Sequence, residues 1–263
     1  MGTSDFDPLA ALAAARRLYA EATDFTVGIE EEFQLLDPDT LALTGRFEEV
    51  RAAAERTDLA GNIAGELIAC EFEIKTGRCE TFADAARVLV ARRRRLLEVA
   101  DGLGIAIAGN GTHPYSPWWE QHIIDTPHYR LRDELLRYVA WRNNTFGMHV
   151  HVGIRGTDRA IAVTNALRAV LPELIAISAS SPWLEGRITH LRSTRTQIFT
   201  RMFPRCGVPE PFDGWDDYDA FVRFLVATGS ISDQTEIWWS VRPHQSFGTV
   251  EVRVSDGLPD VGE

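Results

Sequence analysis

Four stretches of the chain alternate apolar and polar residues with a period of two, which predicts strands with one face against a core. In "GIEEEF", Ile29 and Phe33 point one way, and Glu30 and Glu32 share the other face with Gly28. In "CEFEIKTG", Phe72 and Ile74 oppose Glu71 and Glu73. In "TFGMHVHVGI", Met148, Val150, Val152 and Ile154 oppose His149 and His151, which lie between Gly147 and Gly153. In "GTVEVRVSD", Val250, Val252 and Val254 oppose Glu251 and Arg253. Further strands are predicted in "GIAIAGNGTHPYSPWWE" and "EIWWSVRPH".

Between the strands the period changes to that of helices. Helices are predicted over 5–23, where Leu9, Leu12 and Leu18 recur among alanines, and over 46–60, 81–101, 127–140, 158–179 (bent at Pro172) and 216–228. The 81–101 segment has the clearest ends: Thr81 can cap it, Asp84 lies in its first turn and Gly102 follows it. Helical spacing gives it a buried stripe of Val88, Leu89, Leu96 and Leu97 and leaves the Arg92–Arg95 run on a solvated face. Residues 180–215 show no clear period and read mostly as loop. Strands interleaved with helices in this order fit an α+β domain.

The four polar faces carry the candidate chemistry. Pooled in one sheet, Glu30, Glu32, Glu71, Glu73 and Glu251 would stand beside two imidazoles, with only Arg253 and Lys75 placed to compensate. Carboxylates this close raise one another's pKa. Bound divalent cations are the simplest remedy. Oxygen-rich ligation suits Mg²⁺ or Mn²⁺, imidazole is better tolerated by Mn²⁺, and so many carboxylates imply at least two ions. Zinc is disfavoured, because no cysteine or His-x-x-x-His pattern joins the set. The competing reading is a sheet face open to water, but such a face would mix Lys, Thr and Ser with Glu. Glu31 falls on the apolar face of its strand and is expected near a strand end or a sheet edge.

Composition narrows the class. The chain has 263 residues, 45% hydrophobic and 25% charged, enough for one large domain or two small ones. A net charge of −11 argues against a general nucleic-acid binder. Cys70, Cys79 and Cys206 lack metal spacing and read as reduced thiols. "LAALAAA" is preceded by acidic residues and followed by Arg16-Arg17, unlike a signal peptide. No apolar run approaches the roughly 20 residues of a membrane span. A soluble, cytoplasmic protein that binds neither nucleic acid nor membrane is expected.

The motifs "FTVGIEEEFQLLDPDT", "GTHP", "GMHVHVG", "SPW" followed by "GR", "WWSVRPH" and "FGTVEVRVSD" resemble, in order, those of the glutamate–cysteine ligase type 2 family of carboxylate–amine ligases. The resemblance covers about residues 25–256 and extends to the wider glutamine synthetase group, whose sheet carries Glu-x-Glu, Gly-Met-His-x-His and Glu-x-Arg strands. It implies an antiparallel sheet forming a funnel with helices on its outer face, and a helical extension over 1–24 before a catalytic domain over 25–263. The implied reaction joins the γ-carboxylate of glutamate to an amine such as cysteine, using ATP and Mg²⁺ or Mn²⁺ through an acyl phosphate. A homodimer is compatible with it. No Walker A sequence is present, so metals and arginines would carry the phosphates.

Carried over by motif, one ion would sit with Glu30, His149 and Glu251, and a second with Glu32, Glu73 and Glu66. Glu66 and Glu73 cannot share a face of one regular strand, so a bend is required, with Glu71 as the alternative ligand. His151 would meet phosphate or substrate, and Arg253 the transferring phosphoryl group. Arg195, Arg201 and Arg242 are candidates for substrate or phosphate contacts, or else for structural ion pairs. His113 reads as a loop-bracing residue, and Trp118, Trp119, Trp238 and Trp239 as core and funnel wall. Two features depart from the family pattern. The chain stops at Glu263, where family chains continue, which suggests a C-terminally truncated domain. Ser240 stands where Asp is usual. A metal-dependent hydrolase using the same cluster, and an inactive nucleotide-binding or assembly module, are the alternatives.

Overall fold

The alternating segments pair with one another in the computed structural model, which describes residues 8–260. The strands are β1 (Val27–Leu36), β2 (Ile63–Ala64), β3 (Glu71–Lys75), β4 (Ala106–Ala108), β5 (Gly147–Gly153), β6 (Trp183–Leu184), β7 (Arg187–Ile188), β8 (Cys206–Gly207), β9 (Trp238–Trp239), β10 (Val241–His244) and β11 (Thr249–Asp256). The helices are α1 (Pro8–Glu21), α2 (Phe47–Ala54), α3 (Phe82–Gly102), α4 (Pro127–Leu136), α5 (Tyr138–Trp141), α6 (Thr157–Leu167), α7 (Leu171–Ser178), α8 (Thr194–Met202) and α9 (Trp215–Ala227). An antiparallel sheet runs β10-β11-β5-β1-β3-β2, and β4 pairs with the far end of β1. The α+β architecture is as expected.

Register places the polar residues side by side. Glu30 lies opposite His149 on β5 and Lys75 on β3, and Glu32 lies opposite Glu73. Gly28 and Glu251 both lie opposite His151, one from each neighbouring strand. The β5–β11 register shifts between Val252 and Ser255, while on the other side of β11 the Arg253 N–H donates to the carbonyl of Ser240 (2.8 Å), just before β10.

The opposite face is covered in two halves. Ile29, Phe33, Leu35, Phe72 and Ile74 pack with Phe47, Leu89 and Leu96 from α2 and α3. Val241, Val250 and Val254 pack with residues of α1, α6, α7 and α9, among them Leu12, Tyr19, Ile161, Leu171 and Trp215. Tyr19 also donates its hydroxyl hydrogen to the Thr249 carbonyl (2.7 Å), tying α1 to β11. The helix predicted over 5–23 is seen as α1, and residues 5–7 lie outside the described residues.

Several elements differ from expectation. In α3, Thr81 caps as predicted, accepting from the Asp84 N–H (3.1 Å). The buried side, however, is Ala85, Leu89, Leu96 and Ala100, while Leu97 is 55% exposed. Arg93 falls one turn after Leu89 on this inner side and reaches Glu31 (Nε–Oε2 2.7 Å, Nη2–Oε1 2.5 Å). Glu31 is therefore neither at a strand end nor at an edge. It is buried mid-sheet because a helix supplies its cation. The 46–60 helix ends at Ala54, and the 127–140 helix breaks at Arg137, whose φ is +50°. Pro172 stands in the first turn of α7, where its missing N–H costs nothing. The 180–215 region holds a β6–β7 hairpin and α8, which sequence reading missed. The run Thr157–Ser178 is long and apolar enough to cross a membrane by length and composition, contrary to expectation. It includes a 3₁₀ turn at Arg168–Val170, and it buries Ala160, Ile161 and Leu171 in the core.

The Glu31–Arg93 pair carries the first prediction. Arg93→Met alone leaves a buried carboxylate unpaired and is expected to lose about 3–5 kcal/mol, and adding Glu31→Leu is expected to recover most of it. Urea unfolding of both variants checks this. Equal losses in the two would show that Arg93 acts through its bond to the Leu258 carbonyl (3.0 Å) instead.

Candidate functional site

The polar face is not bathed in water. Glu251 is 1% exposed, Glu71 and Glu73 2%, His149 4%, His151 5% and Glu32 7%. Alternation supplies the facing, and the walls come from loops and helices: the Glu66 loop, α4, α8, and the Phe247 turn before β11.

One half of the cluster is well compensated. Glu251 takes Arg242 Nε on Oε2 (2.5 Å) and Arg253 Nη1 on Oε1. Burial pushes its pKa up, but Arg242 and Arg253 outweigh this and hold the carboxyl far below its usual range. Glu30 is likewise pushed up by burial and held down by its hydrogen bond with His149 and by the nearby His151 and Lys75. Lys75 lies 2.8 Å from Glu73 Oε1 and 3.5 Å from Glu30 Oε1. Arg242 joins Arg253 and Lys75 in this half, so compensation here is broader than those two alone, and Arg195 acts on Glu71 in the other half.

The other half is short of positive charge. Burial, reinforced by neighbouring carboxylates, raises Glu71 and Glu73 well above the ordinary range. Burial and Glu32 push Glu66 up to about 8. Without a bound ion, Glu66 keeps its proton near neutral pH, and burial pushes Glu71 and Glu73 in the same direction.

Three groups of ligand atoms, each within 4.8 Å of one another, occur among the described residues: Glu30–His151–Glu251, Glu30–Glu73–His149 and Glu32–Glu66–Glu73. The last contains the residues carried over for a second ion. Glu66 reaches it because the chain reverses between β2 and β3, so no bulge within a strand is needed. Glu71 lies outside all three groups, opposite Gln34 and facing another cavity. Glu30 and Glu251 group with His151 rather than His149, although His149 Nδ1 lies 3.3 Å from Glu30 and 4.0 Å from Glu251. Buried His149 Nε2 and His151 Nε2 have no hydrogen-bond partner. They face carboxylate oxygens at 3.6–3.8 Å, too far for a hydrogen bond. Oxygen and nitrogen ligands about 2.1 Å from one small cation stand roughly 3–4 Å apart, so the residues fit divalent ions. His151 Nδ1, 3.0 Å from Thr249 Oγ1, is held so that Nε2 faces this space.

The remaining candidates divide. Arg195, on α8, is buried and projects over Gly147, where a Cβ would collide with its guanidinium. Arg242 reaches the cluster. Arg201, on the same helix as Arg195, is exposed and lines none of the cavities around the cluster. His113 braces its loop, with Nε2 2.9 Å from the Leu41 carbonyl and Nδ1 accepting from the Ser116 N–H (2.8 Å). Sequence reading overlooked His244 and Phe247, whose rings stack at 4.4 Å beside His151. No spacing signal marks them.

Cavities flank the cluster on both sides. One of ≈ 290 Å³ is lined by Glu32, Glu71, Tyr129, Arg195, Trp238 and Arg253. The other, ≈ 350 Å³, is lined largely by small or apolar residues including Thr26, Gly28, Ile29 and Phe247, and opens onto Glu30, Lys75 and His151.

The protonated half gives a pH prediction. Between the ordinary carboxylate pKa and about 8, the folded metal-free protein keeps a proton on Glu66 that the unfolded chain releases. Stability therefore falls as pH rises through that window. Divalent ions need the ionised carboxylate, so Mn²⁺ affinity is expected to rise by about tenfold per pH unit towards pH 8, with proton release. Calorimetric Mn²⁺ titration in buffers of different ionisation enthalpy reads both quantities. A pH-independent affinity would count against Glu66 as a ligand.

A relative from Rubrobacter xylanophilus, provisionally named glutamate–cysteine ligase 2-2, is 41% identical over 239 residues, covering 91% of this chain and 61% of its own length. The chain thus spans about three fifths of that relative. The fold matches that of a bifunctional glutathione synthetase from Pasteurella multocida (TM-score 0.67, 16% identity, 95% of this chain and 37% of the other). It also matches a glutamate–cysteine ligase from Francisella tularensis, solved with AMP (TM-score 0.65, 14% identity, 89% of this chain and 62% of the other). The sequence profile of glutamate–cysteine ligase family 2 matches residues 26–263, and with the buried Glu-x-Glu, His-x-His and Glu-x-Arg strands in register, the chain belongs to that family.

Proposed function

We propose that the protein is an ATP-dependent carboxylate–amine ligase of the glutamate–cysteine ligase kind, acting through a γ-glutamyl phosphate with two or more Mg²⁺ or Mn²⁺ ions. The observation that carries this is a buried array of carboxylates and imidazoles, short of positive charge on one side and flanked by two different cavities. The small-residue cavity, with Phe247 59% exposed and stacked on His244, suits a nucleoside whose phosphates run over Glu30, Lys75 and His151. In the opposite cavity, buried Arg195 Nε and Glu71 Oε2 lack partners. One donor and one acceptor of opposite charge suit the α-carboxylate and α-ammonium of an amino acid. Its γ-carboxylate would then point towards the cluster between the two cavities.

Bound ions would neutralise charge on the phosphates and the acceptor carboxylate. Arg253 would contact the phosphoryl group in transfer, and Arg242 would hold Glu251 in place. Glu30, Glu32, Glu66, Glu73, His149, His151 and Glu251 would hold the ions. Free Cys70, Cys79 and Cys206 support the reading of a reducing, cytoplasmic setting.

The test is ADP release with Mg²⁺, L-glutamate and an amine such as cysteine, with the amide product identified by mass spectrometry. ADP formed only when acid and amine are both present supports the ligase. Phosphate released without an amine would favour the hydrolase, and nucleotide binding without turnover the inactive module.

A further inference from the structure

The last residue of β11 is tied to α8, a helix distant from it in sequence. Asp256 is 1% exposed. Its Oδ2 accepts from the Ser180 N–H (2.8 Å) and the Ser181 hydroxyl (2.6 Å), and its Oδ1 accepts from the Ser193 hydroxyl (2.8 Å). Both hydroxyls serve the first turn of α8. Ser181 Oγ accepts from the Arg195 N–H (3.2 Å), and Ser193 Oγ accepts from the Thr196 N–H (3.1 Å). The Thr194 N–H goes to the Ser181 carbonyl (3.0 Å). First-turn N–H groups have no partner within their own helix, so these bonds set where α8 begins and which way it points.

The direction of the hydroxyl hydrogens is what requires a carboxylate. A serine oxygen that accepts from the helix must send its own hydrogen elsewhere. Asp256 lies in reach of the hydrogens of both serines, and Ser193 Oγ also lies 2.8 Å from Thr196 Oγ1. Asparagine in this place would present an NH₂ to one of the three donors and turn it away. The space is also fitted, since a Cβ at Gly111 would lie 2.5 Å from Asp256 Cγ.

We infer that Asp256 is a positioning residue: through Ser181 and Ser193 it orients α8 so that Arg195 projects over Gly147 into the cavity shared with Glu71, and thereby sets affinity for the acid substrate. This rests on the amino-acid reading of that cavity given above. Asp256 touches neither substrate nor ions. It lies beyond the β11 bulge from Arg253, and its effect falls first on the cavity of Arg195 and Glu71, which Glu30, Lys75 and His151 do not line.

The test compares Asp256→Asn and Ser193→Ala with wild type in steady-state ADP release and in Mn²⁺ binding. Asp256→Asn is expected to raise the KM for L-glutamate by up to about a hundredfold, because small displacements of a positioning group cost that much. The KM for ATP and the Mn²⁺ affinity should stay within about twofold, a split that general loosening would not give. Ser193→Ala should shift the same constant in the same direction by less, and it decides the matter if Asp256→Asn does not fold. An unchanged KM for L-glutamate in a folded variant, or parallel losses for glutamate, ATP and Mn²⁺, would overturn the inference. Should the wild type prove not to use glutamate, the ligase reading fails on its own. A crystal structure of Asp256→Asn then judges Asp256 separately: Arg195 still seated over Gly147 would overturn its positioning role.

Discussion

Glu30→Gln is expected to lower ADP formation by about 10³-fold or more, since ion-borne charge neutralisation is worth several kcal/mol. Glu30 stands between two of the candidate ion groups, and its oxygens face His149, His151 and Lys75. The same substitution should cost only about 1 kcal/mol of stability, because Lys75 keeps its pair with Glu73. Glu251→Gln should be equally inactive for a compound reason. It removes a ligand and also leaves two partly buried guanidiniums, Arg242 and Arg253, without their carboxylate. That is expected to cost about 3–5 kcal/mol in the metal-free protein. The two variants together separate chemistry from folding: both lose ADP release, and only Glu251→Gln loses much resistance to urea. Near-wild-type turnover in Glu30→Gln would remove the ion-binding role from the centre of the cluster.

The facing of Glu30, Glu32, His149, His151 and Glu251 was legible in the sequence because a strand buried on one side writes that burial as alternation. The burial of the opposite face was not legible. Alternation has the same form whether the polar side meets solvent or a walled cavity, and the walls here come from segments distant in sequence. Glu31 shows the limit most clearly. Its partner Arg93 lies 62 residues further on, within an arginine run that reads as a solvated face. Helix α8 was missed because its buried residues are Thr194, Arg195 and Ile198, too few apolar positions to make a stripe. Its start is set by serines and Asp256 rather than by a hydrophobic pattern. Without that helix, Arg195 and Arg201 looked equivalent. Placed on it, their spacing turns one inward and the other out. The need for the chain to bend between Glu66 and Glu73 was readable, but not its form, since a hairpin and a bulge make the same demand on the sequence.

Arg253→Ala is expected to lower kcat by about 10³-fold or more, with a smaller rise in the KM for ATP, if the guanidinium meets a phosphoryl group in flight. The structure leaves two roles to separate. Arg253 pairs with Glu251, which favours a residue that merely relieves repulsion. Yet Arg242 already holds the other oxygen of Glu251, and the buried Arg253 Nε has no partner. Its Nη1 lies 3.5 Å from His149 Nδ1, between the ion groups and the Glu71–Arg195 cavity. A donor without a partner in a buried site is costly unless a ligand completes it. Arg253→Lys keeps the charge and loses the planar fork, so it should remain clearly impaired if that fork meets the phosphoryl oxygens. If the role is only charge relief, Arg253→Lys should be nearly silent and Arg253→Ala should recover with excess Mg²⁺, since the defect would lie in ion affinity. Steady-state ADP release by both variants across a Mg²⁺ titration, with acid and amine saturating, tells these apart. Full recovery at high Mg²⁺ would assign Arg253 to the ion site, and a kcat defect that persists would place it on the transferring group.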